Sequence, residues 1–112
     1  MLARKNLVPL RKEFPRIRKE GKLYDSVSFG LVVAYGSGTG PQASFIVSKK
    51  IDKRSVVRHE IKRKLADAVS PLLSRLGKNV ELVFLAKTKT ITTSGEELGR
   101  EIGEVLKRAR LI

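Results

Sequence analysis

The stretch Phe45 to Leu65, FIVSKKIDKRSVVRHEIKRKL, limits the folds open to this chain more than any other. It opens as an apolar strand and breaks at Lys49-Lys50. Beyond the break, Val57, Ile61, Leu65, Ala68, Val69 and Leu72 fall in one stripe at about 100° per residue, the period of an amphipathic helix. A strand therefore feeds through a basic loop into a helix with one face to bury against a sheet. The exposed faces are cationic: Lys49 to Lys64 carries eight Lys or Arg residues against Asp52 and Glu60. Arg58 and Lys62 share one flank of the stripe, while His59 and Arg63 point furthest from it.

The rest of the charge is placed as unevenly. Of a net +13 over 112 residues, positions 1–22 hold eight basic and two acidic groups. Ser28 to Ser48 holds no charge at all, and the chain beyond Lys64 is close to neutral. Two basic blocks around an uncharged, sheet-forming segment describe a directed surface. Its partner class is nucleic acid first and an anionic membrane surface a distant second, with a merely solvated basic face as the bland alternative. A hydrophobic content of 41% suits one modest core, so residues 1–112 are expected to form a single domain. The absence of Cys excludes disulfides and thiolate chemistry. No apolar run approaches the roughly 18 residues of a membrane span, and no signal-peptide segment follows the basic start, so a cytoplasmic location is expected.

Met1 to Val8 reads as a flexible basic arm that orders on RNA. A short helix is predicted from about Lys12 to Glu20, with Pro15 in its first turn, Phe14 and Ile17 on one face, and Gly21 as its stop. Ser28 to Tyr35 alternates, with Phe29, Leu31, Val33 and Tyr35 directed to the core and Gly30, Val32 and Ala34 forming a shallower apolar floor. Gly36 to Gln42, GSGTGPQ, is predicted as a hairpin loop; a phosphate loop would need a helix to follow, and a strand follows instead. Ser70-Pro71 marks a kink or a short second helical segment, and Val80 to Ala86 is a well-covered strand. Ser94 with Glu97 forms a capping box ahead of a stripe made by Leu98, Ile102, Val105, Leu106 and Ala109. Helix, strands, helix, strand and helix give an α+β fold.

Self-sufficient catalysis is not visible. His59 is the single His and has no cluster of acids around it; it reads as a solvent-facing residue or an RNA hydrogen-bond donor. Glu97, Glu101 and Glu104 share a face, but Arg100, Lys107 and Arg108 beside them point to helix charge pairing rather than metal binding. Lys and Arg supply phosphate affinity, and an apolar floor accepts the faces of bases. Phe14, Ile17 and Val32 could make that floor, with Arg18, Arg58 and Lys62 as its wall. Phe14 reads equally well as a core residue.

The run VSKKIDKRSVVRHEIKRKL resembles the signature helix of the bacterial ribonuclease P protein component. In that family a strand ending in Ser-Lys-Lys leads to Arg-Asn-Arg, an aliphatic residue and Lys-Arg. Val47 to Lys50 match the strand end, Val57 and Arg58 the approach, and Ile61, Lys62 and Arg63 the sequel. His59 stands in place of Asn, and Glu60, with reversed charge, in place of the second Arg. The likeness extends to Phe14, Gly21 and the chain length.

That resemblance implies a small two-layer sandwich, a mixed sheet of about four strands with about three helices, shared with the second domain of a ribosomal protein. It also implies a left-handed strand–helix–strand crossover, where the general rule favours a right-handed one. The function implied is that of a monomeric protein subunit within a ribonucleoprotein endonuclease for tRNA 5′ maturation. It would bind the catalytic RNA and the 5′ leader of precursor tRNA, while the RNA performs Mg²⁺-assisted hydrolysis and holds most of the Mg²⁺. By matching position, the leader cleft comprises Phe14, Arg18, Gly30, Val32 and Lys62, with Arg18 where the family often has an aromatic residue. Arg58, His59, Lys62 and Arg63 with Lys49, Lys50, Lys53 and Arg54 form the RNA-binding set, and no residue is assigned to catalysis. The alternatives are a ribosomal or general RNA-binding protein without a part in cleavage and, third, a self-contained nuclease.

Overall fold

Burial of two alternating faces organises the chain. The computed structural model describes residues 6–36 and 40–112. Helix α1 (Leu10–Glu20) is followed by strands β1 (Lys22–Asp25), β2 (Phe29–Tyr35) and β3 (Gln42–Ile46). Helix α2 (Ser55–Val69), strand β4 (Val80–Ala86) and helix α3 (Gly95–Arg108) complete the fold. The four strands form one mixed sheet in the order β1-β2-β4-β3, antiparallel except for the β3–β4 pair. The α+β class, the three helices and the mixed sheet are those predicted.

One face carries the main core. Phe29, Leu31 and Val33 of β2, Ala43 and Phe45 of β3, and Leu82 and Phe84 of β4 are buried against α2 and α3. Phe84 lies stacked on Phe45, with centroids 5.5 Å apart, and edge-on to Phe29 at 5.4 Å. The α2 stripe supplies Ile61, Leu65, Ala66 and Val69, and α3 supplies Leu98, Ile102, Val105 and Leu106. Tyr35, assigned to the same side, is 56% exposed at the end of its strand. The opposite face is smaller. There α1 lays Ile17 over Val32, Ala34 and Val83, with Val8 beside them.

Caps and stops follow the local chemistry. The Ser94 hydroxyl accepts the Glu97 N–H at 3.1 Å and starts α3. Pro71 opens the 3₁₀ segment Ser70–Arg75, where its missing N–H is not needed. Glu101 ties α3 to the β1–β2 turn through Ser26 Oγ, Ser28 Oγ and the Ser28 N–H. Burial opposes its ionisation, but those bonds outweigh burial and hold the carboxyl below the usual range.

Four expectations change. Helix α1 begins at Leu10, with Pro9 at its N-cap, so Pro15 lies inside the helix and not in its first turn. The carbonyl it cannot pair with belongs to Arg11, and both residues are exposed to water. Residues 36–42 do not close a hairpin, because β4 lies between β2 and β3; positions 37–39 fall outside the described residues. The N-terminal arm is docked over its last part. Leu7 bridges Ala43 in parallel, Val8 N–H donates to Ala43 O at 3.1 Å, and Asn6 Nδ2 donates to Pro41 O at 2.9 Å. This strap satisfies part of the β3 edge; the expectation for residues 1–5 lies outside the described part. Strand β1 was not anticipated. It is four residues long and mostly exposed, too short to show a period.

Candidate nucleic-acid interface

The β3–α2 connection presents its cations because the backbone beneath them is self-satisfied. Ser48 Oγ accepts the Lys50 N–H at 3.1 Å, and Asp52 Oδ1 accepts the Arg54 N–H at 2.8 Å. Asp52 also receives Arg54 Nε at 3.1 Å and Nη2 at 3.0 Å. These side-chain and backbone bonds hold the Asp52 carboxyl down at about 2. Arg58 Nη1 reaches back from α2 to the carbonyls of Asp52 at 3.0 Å and Lys53 at 2.8 Å. The loop is thus tied to the first turn of α2, leaving Lys49, Lys50 and Lys53 exposed and without ion pairs among the described residues.

Along α2, the flank that faces the N-terminal segment is His59, Lys62, Arg63 and Ala66. With Leu7, Leu10, Ser44 and Phe45 these residues line a groove of about 240 Å³. Two leucines form one wall and three nitrogen-bearing side chains the other. His59 and Arg63 therefore join Lys62 at the groove, whereas Arg58, the expected companion of Lys62, is turned to the loop. Helical period alone could not show this, since it does not reveal where the N-terminal strap lies.

Of the five residues matched to a leader cleft, Lys62 lines this groove, Phe14 and Arg18 lie on α1, and Gly30 and Val32 lie on β2. Val32 is 7% exposed and lies under Ile17, and Gly30 is buried beside Leu23 and Leu85. Helix α1 closes over Val32, whereas Gly30 is hemmed in by side chains of the neighbouring strands. Phe14 is half-buried against the second core and Arg18, one turn later, is exposed. The apolar surface that α1 leaves open comes instead from Leu23, 61% exposed, and from half-buried Ile46 and Leu85. Ile46 pairs with Leu85, which pairs with Gly30, so they form one row across the sheet. Leu10 belongs both to the groove and to the second core and joins the two surfaces. The alternation of β4 and β3 could have singled out Leu85 and Ile46 once the sheet order was known.

Several other cations are already occupied. Lys64 Nζ donates to Thr90 O and Thr93 O, both at 2.8 Å, and so holds the loop ahead of α3. Glu60, four residues before Lys64, lies with Ser55, Val56, His59 and Arg63 in a shallow hollow. Arg16 Nη2 contacts both carboxylate oxygens of Glu81, at 2.7 and 3.0 Å, and Arg16 also pairs with Glu13 and Glu20. Gly36 lies close beside that pair, and a Cβ there would meet the Glu81 carboxylate at 2.8 Å and press on its contact with Arg16. A larger hollow of about 530 Å³ surrounds this cluster. Its three glutamates make it a poor seat for a polyanion, and the smaller cationic groove is the better one. Among the described residues no group of three or more His, Cys, Asp or Glu could hold a metal ion. No helix of the described residues is long and apolar enough to cross a membrane.

Fold and groove together define a small basic α+β protein with a cationic strand–loop–helix edge. The Ribonuclease P family profile matches residues 2–110, and the chain belongs to the ribonuclease P protein family. It is 35% identical to the ribonuclease P protein component of Caldanaerobacter subterraneus subsp. tengcongensis, over 96% of this chain and 94% of that one. It is 28% identical to that of Chloroflexus aggregans, over 99% and 82%. Among solved structures, the RNase P protein of Staphylococcus aureus superposes with a TM-score of 0.82 at 20% identity, covering 95% of this chain and 96% of that one. The Thermotoga maritima RNase P protein gives 0.80 at 19% identity, covering 91% and 96%. The chain is accordingly a protein component of an endoribonuclease ribonucleoprotein of tRNA processing, and its partner is the ribonuclease P RNA.

Proposed function

We propose that the groove and the open row beside it hold the single-stranded 5′ leader of precursor tRNA, while the β3–α2 loop contacts the catalytic RNA. The observation that carries this reading is the groove itself, where His59, Lys62 and Arg63 face Leu7 and Leu10 across an apolar floor. Ammonium and guanidinium groups take the phosphates and release counterions. The apolar wall, continued by Leu10 to Phe14, Ile46 and Leu85, takes base faces without regard to sequence. Arg18 adds a cation at the α1 side. Lys49, Lys50, Lys53 and Arg54 project from the loop toward the RNA subunit, with Arg58 holding that loop in place.

In this reading hydrolysis belongs to the RNA, and the protein acts as one monomer in the cytoplasmic ribonucleoprotein. His59 and Glu60 share an exposed hollow with Arg63, whose guanidinium supports a binding role. In the same reading the Mg²⁺ of the reaction is held mainly by the RNA partner.

Paired substitutions test the assignment. Lys62→Ala is expected to weaken leader binding and reduce its log–log salt slope by about one. Lys64→Ala, at a cation already spent on carbonyls, is expected to lower stability and leave the slope unchanged. Equal slopes for wild type and Lys62→Ala in titrations of precursor tRNA would remove the leader from the groove.

A further inference from the structure

The groove exists only because the N-terminal strap is in place. Its apolar wall is Leu7 and Leu10, and Leu7 is positioned by the parallel bridge to Ala43. The strap is held by Val8 N–H to Ala43 O, by Asn6 Nδ2 to Pro41 O, and by Val8, which is 4% exposed within the second core. Opposite it stand His59, Lys62 and Arg63 on α2, which no bond joins to the strap in the described structure. The two walls thus come from separate elements, α2 on one side and the strap on the other.

We propose that docking of residues 6–10 on the β3 edge and occupancy of the groove by a nucleotide of single-stranded RNA stabilise one another. This rests on the groove being the leader site, and it adds that the strap, with Leu7 and Leu10, is a positioning element for the leader. The linkage is thermodynamic. A nucleotide with its phosphate on Lys62 and Arg63 and its base against Leu7 and Leu10 binds the docked strap better than the undocked one. It therefore shifts the strap toward docking by the ratio of those affinities, and a weakened strap lowers affinity by the reciprocal effect. The apolar wall makes the site tolerant of base identity, since Leu offers contact area and no hydrogen bonds.

The test uses the full chain and a short single-stranded oligouridylate. Hydrogen exchange of the Val8 amide is expected to slow with added oligonucleotide, by up to about 100-fold at a hundredfold excess over Kd. Leu7→Ser is expected to weaken binding roughly three- to tenfold, from part of a Leu burial. Leu7 is 41% exposed, so the fold tolerates this change. Asn6→Ala, which touches only the strap, is expected to speed Val8 exchange and weaken binding together. Lys62→Ala separates the two ideas. If it weakens binding while Val8 exchange and the Leu7→Ser affinity match wild type, the leader site stands and the coupling is wrong. If Lys62→Ala changes nothing, the groove is not the RNA site and both readings fall.

Discussion

On the α2–α3 side of the sheet, Phe29, Phe45 and Phe84 meet ring to ring beneath two helices, and Phe29 and Phe84 have no exposed surface. On the α1 side, the same strands turn up Gly30, Val32, Ala34, Ser44, Ile46, Val83 and Leu85, and one eleven-residue helix covers only part of them. The strands alternate on both sides, so alternation does not decide which side is closed. Side-chain size and the number of helices laid over it do. The crowded side supplies most of the buried core, and the sparsely covered side leaves apolar surface open.

Phe84→Ala probes the closed side most severely. Emptying the centre of a three-ring cluster is expected to lower unfolding free energy by about 3–5 kcal/mol in denaturant titrations. Phe14→Ala is the counterpart on the open side. It is expected to cost distinctly less stability, and to weaken leader binding by about 1–3 kcal/mol if a base stacks on the ring. A stability loss equal to that of Phe84→Ala, with unchanged leader affinity, would erase the distinction between the faces. Smaller again is Gly99→Ala on the outer side of α3, where an added Cβ meets nothing within 4 Å. Helix propensity alone should raise stability by about 0.5–1 kcal/mol, and RNA affinity should not move. The slightest effect is one of pH. The folded Asp52 carboxyl sits near 2, below its ordinary 3.8, so its support of the loop is complete above about pH 4 and is lost as pH falls through 2. NMR titration should show the Arg54 amide shifting in that window, while amides of the Phe84 cluster stay still.

Much of this was legible in the residues. The stripes of α2 and α3, the Ser94 cap, the Pro71 break and the span of β4 all depend on neighbours within a few positions. Their chemistry is local. What escaped depends on contacts far along the chain. Val32 is closed by Ile17 of α1, Arg16 is claimed by Glu81, and Lys64 by the carbonyls of Thr90 and Thr93. Lys62 was correctly placed on an exposed flank, yet its groove partners Leu7 and Leu10 lie more than fifty positions earlier. A formal charge of +13 also overstates the free cationic surface, since Lys64 is spent on backbone carbonyls inside the fold.

The sheet order has a consequence in time. Strand β4, residues 80–86, lies between β2 and β3 and pairs with both, so during synthesis the sheet has no middle until about three-quarters of the chain has emerged. Before then β1 and β2 can pair as a hairpin, but β3 and the apolar stripe of α2 have nothing to close against. Such non-local pairing makes folding slow and leaves strand edges unprotected while it waits. The nascent chain passes through that interval carrying both of its basic blocks, residues 1–22 and 49–64, already made. The central strand is therefore the piece that closes the sheet, and it arrives after both of its neighbours are made.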